Sequence, residues 1–149
     1  MDLKNKIVLI TGGAVRVGKA ITQELIASGS IVFCHYNSSE KDALKLKDAY
    51  PKVNLLKGDL RNSKTPRLII EKLIKEAGTL DILINNAAIF PKTPLGSVTE
   101  EDWNQVFEIN LKSNFFLSQE ASQVMKKKHS GKIINIADTS GVQPWPSYI

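Results

Sequence analysis

Short apolar runs alternate with helical segments along this whole chain, and that alternation limits its fold more than any other feature. The runs are short and apolar on both faces, as in strands buried in a parallel sheet. Each stretch between them is long enough for a crossover helix. We therefore expect an α/β fold with a doubly wound parallel sheet of five strands. The predicted strands are Lys6–Thr11, Ile31–Tyr36, Val53–Lys57, Leu80–Asn85 and Lys132–Ile136, and the predicted helices are Val17–Ser28, Ser39–Ala49, Thr65–Ala77 and a long one from the Thr99 cap to about Lys128 with a bend near Asn110.

Composition describes a globular chain and excludes several classes of protein. The 149 residues are 42% hydrophobic and 23% charged, which suits one domain spanning residues 1–149. No apolar run approaches the roughly 18 residues of a membrane span, so we expect no membrane partner. The net charge of +5 is spread along several helices, so we expect no nucleic-acid partner. The single cysteine, Cys34, cannot form an intramolecular disulfide, which favours a cytoplasmic location.

A glycine-containing turn links the first strand to the first helix. Thr11 and Gly12 end the strand, and Gly18 stands in the first turn of the helix. Glycine there allows the backbone to approach a ligand closely, and the free N–H groups at a helix N-terminus bind phosphate. This context makes the motif typical of a Rossmann-type dinucleotide-binding domain.

These residues resemble the short-chain dehydrogenase/reductase family, whose usual pattern is Thr-Gly, three variable residues, Gly, one residue, Gly. Arg16 replaces the middle glycine of that pattern. The resemblance covers the whole chain and implies an oxidoreductase acting on a small-molecule substrate. It also implies that Asn110 holds a water in the proton relay. Further family marks follow in order, namely Asp59-Leu60 at the adenine and Asn85-Asn86-Ala87-Ala88 beside the cofactor ribose.

Three positions resemble the pteridine reductases within that family. These enzymes have arginine at the position of Arg16, aspartate at that of Asp138 and phenylalanine at that of Phe90. The resemblance implies that Asp138 takes the place of the family serine and that Phe90 stacks on a pterin ring. Thr139 and Ser140 are alternatives for the serine, with Asp138 then a turn former. The alternative for Phe90 is a core residue.

The end of the second strand bears on the choice of cofactor. An acid there selects NAD by holding the ribose 2′-hydroxyl, but no acid precedes Glu40 in this chain. Amide, hydroxyl and N–H donors suit a phosphate, so we predict NADP(H) as cofactor, and no metal, although Val15 lacks the basic side chain of many NADP-preferring relatives. The predicted cofactor-binding residues are Thr11, Gly12, Arg16, Val17, Gly18, Asn37, Ser38, Ser39, Asp59, Leu60, Asn86, Ala87 and Ala88; Arg16 is also predicted, with Phe90, to contact substrate.

The family's catalytic Tyr-X-X-X-Lys motif is expected about thirteen residues after Asp138, beyond Ile149. Tyr148 comes too early and resembles a non-catalytic tyrosine of the pteridine reductases. We therefore expect an incomplete Rossmann domain that stops after the fifth strand, is inactive alone, and forms a dimer or tetramer in its full-length form. The predicted reaction is NADPH-dependent reduction of a C=N or C=O bond, with dihydropterin or dihydrofolate as the sharpest substrate hypothesis. The alternatives are a ketone or 3-oxoacyl thioester reductase and a non-catalytic dinucleotide-binding module.

Overall fold

The fold is a five-stranded parallel sheet with helices on both faces. A computed structural model describes residues 2–139, 142 and 148. Its elements are β1 (Ile7–Ile10), α1 (Arg16–Ala27), β2 (Ile31–Tyr36), α2 (Glu40–Ala49), β3 (Asn54–Lys57), α3 (Thr65–Ala77), β4 (Ile82–Asn85), α4 (Glu100–Phe107), a π-helical turn (Glu108–Lys112), α5 (Ser113–Lys127) and β5 (Lys132–Asn135).

The strands lie in the order β3-β2-β1-β4-β5, and every neighbouring pair is parallel. The central strand, β1, pairs with β2 on one side and β4 on the other. Strands β2 and β3 therefore lie on one side of β1, and strands β4 and β5 lie on the other. This arrangement confirms the predicted doubly wound fold and places a topological switch point between β1 and β4.

Alternate residues of the central strands are buried on opposite faces of the sheet, as the pleat requires. Ile7 and Leu9 of β1 pack in one core with apolar residues of α3 and α5. Val8 and Ile10 pack in the other core with Leu25 of α1 and with residues of α2. The central strands are thus apolar on both faces because helices cover both faces. The prediction of a buried strand is wrong for β5, which lies at the edge of the sheet and is exposed along its length.

Local sequence signals explain how several helices begin and end. Thr99 and Asp102 form a capping box, in which the Thr99 hydroxyl accepts from the Asp102 N–H and the Asp102 carboxylate accepts from the Thr99 N–H. Gly78 ends α3 with φ +75°, a conformation that disfavours residues with a Cβ. The predicted bend near Asn110 coincides with the π-helical turn between α4 and α5. No helix in the described part of the chain has the length and apolar character to cross a bilayer.

Candidate cofactor-binding and active site

The turn after β1 lies in unusually close contact with the start of α1. A Cβ placed on Gly18 would come within 2.1 Å of the Gly12 carbonyl oxygen and 2.6 Å of the Asn86 Nδ2. Gly12 itself has φ +61° and lies against the Ala87 backbone. Only glycine fits at Gly18 without moving backbone. The two glycines of the sequence pattern therefore allow the turn and the start of α1 to lie in close contact.

Two side chains join this turn to the segment that follows β4. The Thr11 hydroxyl accepts from the N–H groups of Asn86 and Ala87, both at 2.9 Å. The Asn86 amide donates to the carbonyl oxygens of Thr11 at 2.8 Å and Gly12 at 3.2 Å. The chain segments on the two sides of the switch point are thus held together by four hydrogen bonds. Thr11 is fully buried, so these hydrogen bonds are shielded from solvent.

The cleft at the switch point has a volume of about 490 Å³ and lies at the carboxyl ends of the strands. Parallel α/β sheets bind their ligands at this place. All the predicted site residues except Thr11 and Asn110 line this cleft. They are Gly12, Arg16, Val17, Gly18, Asn37, Ser38, Ser39, Asp59, Leu60, Asn86, Ala87, Ala88, Phe90 and Asp138.

Arg16 begins α1 with an exposed side chain and a φ of +49°, in the left-handed region. That conformation costs a residue with a Cβ roughly 1 kcal/mol or more, and it explains why glycine is usual here in the family pattern. The sequence predicted the position of Arg16 in the cleft, and the glycine usual at this place in the family pattern was the only sign of its conformation. Strain of this kind is concentrated at functional sites, which makes Arg16 a candidate ligand contact.

The outer end of the cleft is formed by the ends of β2 and β3. Glu40, the first acid after β2, pairs with Lys57 at 3.0 Å, and both side chains are about half exposed. The Asp59 carboxylate accepts from the Arg61 guanidinium, with distances between 2.5 and 3.1 Å. That hydrogen bonding with Arg61 lowers the pKa of Asp59. Asp59 is therefore an ionised acceptor at the edge of the cleft.

A second cavity of about 610 Å³ adjoins the first, and the two share Phe90, Asp138 and the segment from Ala87 to Ile89. Asn110, in the π-helical turn, lines this second cavity. Its side-chain amide donates to the Ile89 carbonyl at 2.8 Å and accepts from the Ile89 N–H at 2.9 Å. Asn110 therefore fixes the backbone next to Phe90.

Phe90 is 50% exposed, so the alternative that placed it in the core is wrong. Its ring stacks on that of Tyr148, with centroids 4.3 Å apart and planes 5° apart. Asp138 is exposed just after β5. Of the alternatives for the family serine, Thr139 follows Asp138 directly and Ser140 lies outside the described residues.

Sequence reasoning missed a polar cluster behind the second cavity. The buried Asn85 amide donates to Asn135 at 2.8 Å and to Ser118 at 3.0 Å. The Oδ1 atoms of Asn85 and Asn114 are buried and have no hydrogen-bond partner among the described residues. The available signal was the spacing of Asn110, Asn114 and Ser118, which lie one helical turn apart.

Sequence reasoning also missed His35, whose ring lies beneath the glycine turn. His35 is 2% exposed, Nδ1 lies 3.4 Å from the Gly12 nitrogen, and Nε2 lies 3.0 Å from the Gly58 oxygen. Burial is the largest influence on its pKa and lowers it, against smaller upward effects from Gly58 and Asp59. The ring is therefore neutral near pH 7. A polar residue in an otherwise apolar strand was the only sign of it in the sequence.

Comparison with known proteins gives relatives along the full length of the chain. It is 35% identical to the uncharacterized oxidoreductase YvrD of Bacillus subtilis, over 100% of this chain and 57% of that protein. It is 34% identical to a galactitol 2-dehydrogenase of Agrobacterium fabrum, over 95% of this chain and 56% of that protein. A mutant short-chain dehydrogenase/reductase of Serratia marcescens superposes with a TM-score of 0.90 at 27% identity, over 99% of this chain and 61% of that chain.

The chain thus spans less than two thirds of the length of each of these relatives. The short chain dehydrogenase family model matches residues 6–149, which include the glycine turn, both cavities and all five strands. The sheet order and the residues of the cleft agree with that match. This chain therefore belongs to the short-chain dehydrogenase/reductase family of oxidoreductases.

Proposed function

We propose that the protein is an NADPH-dependent reductase that acts on a C=O or C=N bond. The observation that carries the proposal is the meeting of two cavities at Phe90 and Asp138, one of them beside the glycine turn. A long cleft that opens into a second cavity suits a dinucleotide whose reactive end faces a separate substrate. Members of this family bind nicotinamide dinucleotides, which supply hydride when bound.

The residues of the cleft fit such a cofactor. A side chain at Gly18 would clash with the Gly12 carbonyl oxygen, so glycine there lets the turn lie against the start of α1, whose free N–H groups would bind a pyrophosphate. Asp59 and Leu60 would hold the adenine end. The backbone of Ala87 and Ala88 would contact the ribose near the second cavity. The exposed guanidinium of Arg16 would pair with a phosphate or with a polar group of the substrate.

The end of β2 favours NADPH over NADH. Asn37, Ser38 and Ser39 provide amide, hydroxyl and N–H donors where NAD-selective chains have an acid. Glu40 is partly neutralised by its pairing with Lys57, which reduces its repulsion of a 2′-phosphate. The formal charge of +5 also favours the more highly charged cofactor.

Proton supply is assigned to the second cavity. We propose that Asp138 orients the proton donor and relays protons to the substrate, and that Asn110 holds a water in that relay. The resemblance to the family implies that a tyrosine and a lysine of a Tyr-X-X-X-Lys motif complete this relay.

A flat heterocycle such as dihydropterin or dihydrofolate is the proposed substrate. Phe90 supports this, since it is half exposed and already stacks face to face with Tyr148. Reduction of a ketone is the second candidate, because the galactitol 2-dehydrogenase at 34% identity acts on a sugar alcohol; a 3-oxoacyl thioester is another carbonyl of this class.

We further propose a cytoplasmic homo-oligomer, either a dimer or a tetramer. Large apolar side chains are exposed along α4, the π-helical turn and α5, namely Trp103, Phe107, Leu111 and Phe115. A second copy of the protein would cover such a surface.

Cofactor choice is tested by titrating the protein with NADPH and NADH and following the nicotinamide fluorescence. We expect tighter binding of NADPH. Asn37→Asp places an acid at the proposed phosphate contact and should reverse the preference. Asn5→Asp adds the same charge before β1, at the opposite edge of the sheet from the cleft, and should leave the preference unchanged. Tighter binding of NADH by the unsubstituted protein would refute the NADPH proposal.

Turnover is tested on the protein isolated from its own cells, so that any sequence after Ile149 is included. NADPH oxidation is followed with dihydropterin, dihydrofolate, a ketone and a 3-oxoacyl thioester. Turnover with the dihydropterin or dihydrofolate supports a flat heterocycle as the substrate. Turnover with the carbonyl compounds alone favours the ketone reductase. Binding without any turnover would favour a dinucleotide-binding module.

A further inference from the structure

The ring of His35 connects two loops of the proposed cofactor cleft. The Gly12 nitrogen belongs to the turn after β1, and the Gly58 oxygen belongs to the loop after β3. The backbone of β2 adds a third link, since the His35 carbonyl accepts from the Gly13 N–H at 3.1 Å. One residue of β2 therefore contacts the loops that follow both neighbouring strands.

The two ring contacts require one protonation state of the imidazole. A backbone N–H can only donate, so Nδ1 must be the unprotonated, accepting nitrogen toward Gly12. A carbonyl can only accept, so Nε2 must carry the proton and donate to Gly58. The doubly protonated ring would direct an N–H at the Gly12 N–H, and that contact would be repulsive.

We infer that His35, as the neutral Nε2–H tautomer, is the positioning residue that holds the glycine turn ready to bind the dinucleotide phosphates. This inference rests on the proposed function for its ligand. His35 acts through Gly12, which lies in the same turn as Arg16 and is packed against Ala87. If the ring acquires a second proton, Gly12 must move, and the phosphate contacts of the turn weaken.

The charged groups around the ring set its response to pH. Asp59 follows Gly58 and favours the protonated ring, but its carboxylate is paired with Arg61. Arg16 lies on the glycine-turn side of the same cleft. The neighbouring Tyr36 is buried in β2. Burial outweighs the carboxylate, so the pKa of His35 lies below its usual 6.5 and protonation begins only in acid.

Two substitutions separate the two ring contacts. His35→Asn can place an oxygen near the position of Nδ1 and accept from Gly12, while losing the bond to Gly58. His35→Gln can place an N–H near the position of Nε2 and donate to Gly58, while losing the bond to Gly12. We expect His35→Asn to bind NADP⁺ within about threefold of the unsubstituted protein and His35→Gln to bind at least about tenfold more weakly, since tenfold corresponds to about 1.4 kcal/mol, the size of one hydrogen bond.

The pH profile of binding is the readout that a purely structural role would not change. Affinity for NADP⁺ is measured by calorimetry from pH 7.5 to 5.0. The unsubstituted protein should lose affinity more steeply than His35→Asn as the pH falls, because the variant has no imidazole at this position. The titration of the ligand's own phosphate is common to both proteins and cancels in the comparison.

A measurement without cofactor keeps this inference separate from the proposed function. Imidazole nitrogen chemical shifts report the tautomer of His35, and amide exchange reports the protection of the Gly12 N–H. We expect the Nε2–H tautomer, with Gly12 protected in His35→Asn and exposed in His35→Gln. An Nδ1–H tautomer, or equal affinity of the two variants, would overturn the inference. Failure of the unsubstituted protein to bind NADP⁺ or NADPH would refute the proposed function, and the tautomer would still decide whether the ring holds the turn.

Discussion

Substitution of Gly18 by alanine is the sharpest test of the cofactor-binding turn. The added Cβ would lie 2.1 Å from the Gly12 carbonyl oxygen and 2.6 Å from the Asn86 Nδ2. The oxygen belongs to backbone that is already held by the Asn86 amide, so it cannot move without breaking that hydrogen bond. The turn and the start of α1 must therefore separate by more than an ångström.

Two opposing effects determine how much Gly18→Ala changes the free energy of unfolding. Alanine is favoured over glycine inside a helix by about 1 kcal/mol. Overpacking a buried site costs about 1–3 kcal/mol, and contact with backbone places Gly18 at the upper end of that range. The free energy of unfolding should therefore fall by about 2 kcal/mol. Because Gly12 moves with the turn, affinity for NADPH should fall by about tenfold or more, which corresponds to about 1.4 kcal/mol.

Urea unfolding followed by circular dichroism measures the stability, and fluorescence titration measures the affinity for NADPH. Gly78→Ala is the matched control, since Gly78 has φ +75° and nothing within 4 Å of an added Cβ. It should lose about 1 kcal/mol of stability from backbone strain alone and keep its affinity for NADPH. If Gly18→Ala were as stable as the unsubstituted protein and bound NADPH equally well, the close approach that underlies the site would be wrong.

Three further predictions concern buried or partly buried polar groups. Thr11→Val should lower the free energy of unfolding by about 2–4 kcal/mol in urea titrations, because two backbone N–H groups after β4 lose their acceptor, whereas Thr11→Ser should restore it. Cys34 is buried, which raises the pKa of its thiol to about 11, so Ellman's reagent at pH 8 should react only after unfolding; fast reaction of the folded protein would contradict this. Burial tends to raise the pKa of Asp81, but hydrogen bonds from Lys128 and the Ile7 N–H outweigh it and lower the pKa below the unfolded value of 3.8. Asp81 therefore stabilises the folded protein above pH 3.8, and this stabilisation is lost as the pH falls through the lower pKa of the folded state. Asp81→Asn should lower the free energy of unfolding by about 1–3 kcal/mol at pH 7. In urea titrations at different pH, the variant should also lose less stability than the unsubstituted protein as the pH falls.

The fold was predictable because its signals are local. Strand β2 and helix α3 have the predicted bounds, since a buried run or an amphipathic stretch is complete within a few residues. The Thr99–Asp102 capping box needs only residues three apart. The regular alternation predicted a doubly wound parallel sheet, because it restricts the handedness of crossovers, but the order of the strands came from the structure.

The parts of the site that escaped prediction depend on contacts between distant segments. His35 meets Gly12 and Gly58, each 23 residues away, and those contacts exist only once β2 is in register between β1 and β3. The positive φ of Arg16 is likewise invisible in the residue type, which disfavours it. Asn110 was predicted as part of the proton relay, and its pairing with the Ile89 backbone depends on the π-helical turn.

Three side chains of the site share one feature, since each hydrogen-bonds to backbone that lines the proposed cofactor cleft or the second cavity. Thr11 holds the segment after β4, His35 holds the turn after β1, and Asn110 holds the backbone before Phe90. Each link joins protein to protein, so the entropy of ordering these loops is spent during folding and does not oppose association. Such a site loses affinity when a supporting residue changes, because the backbone that it held in place can then move. For the same reason Thr11→Val should weaken NADPH binding without altering the choice between NADPH and NADH, for which we propose a separate surface, Asn37, Ser38 and Ser39.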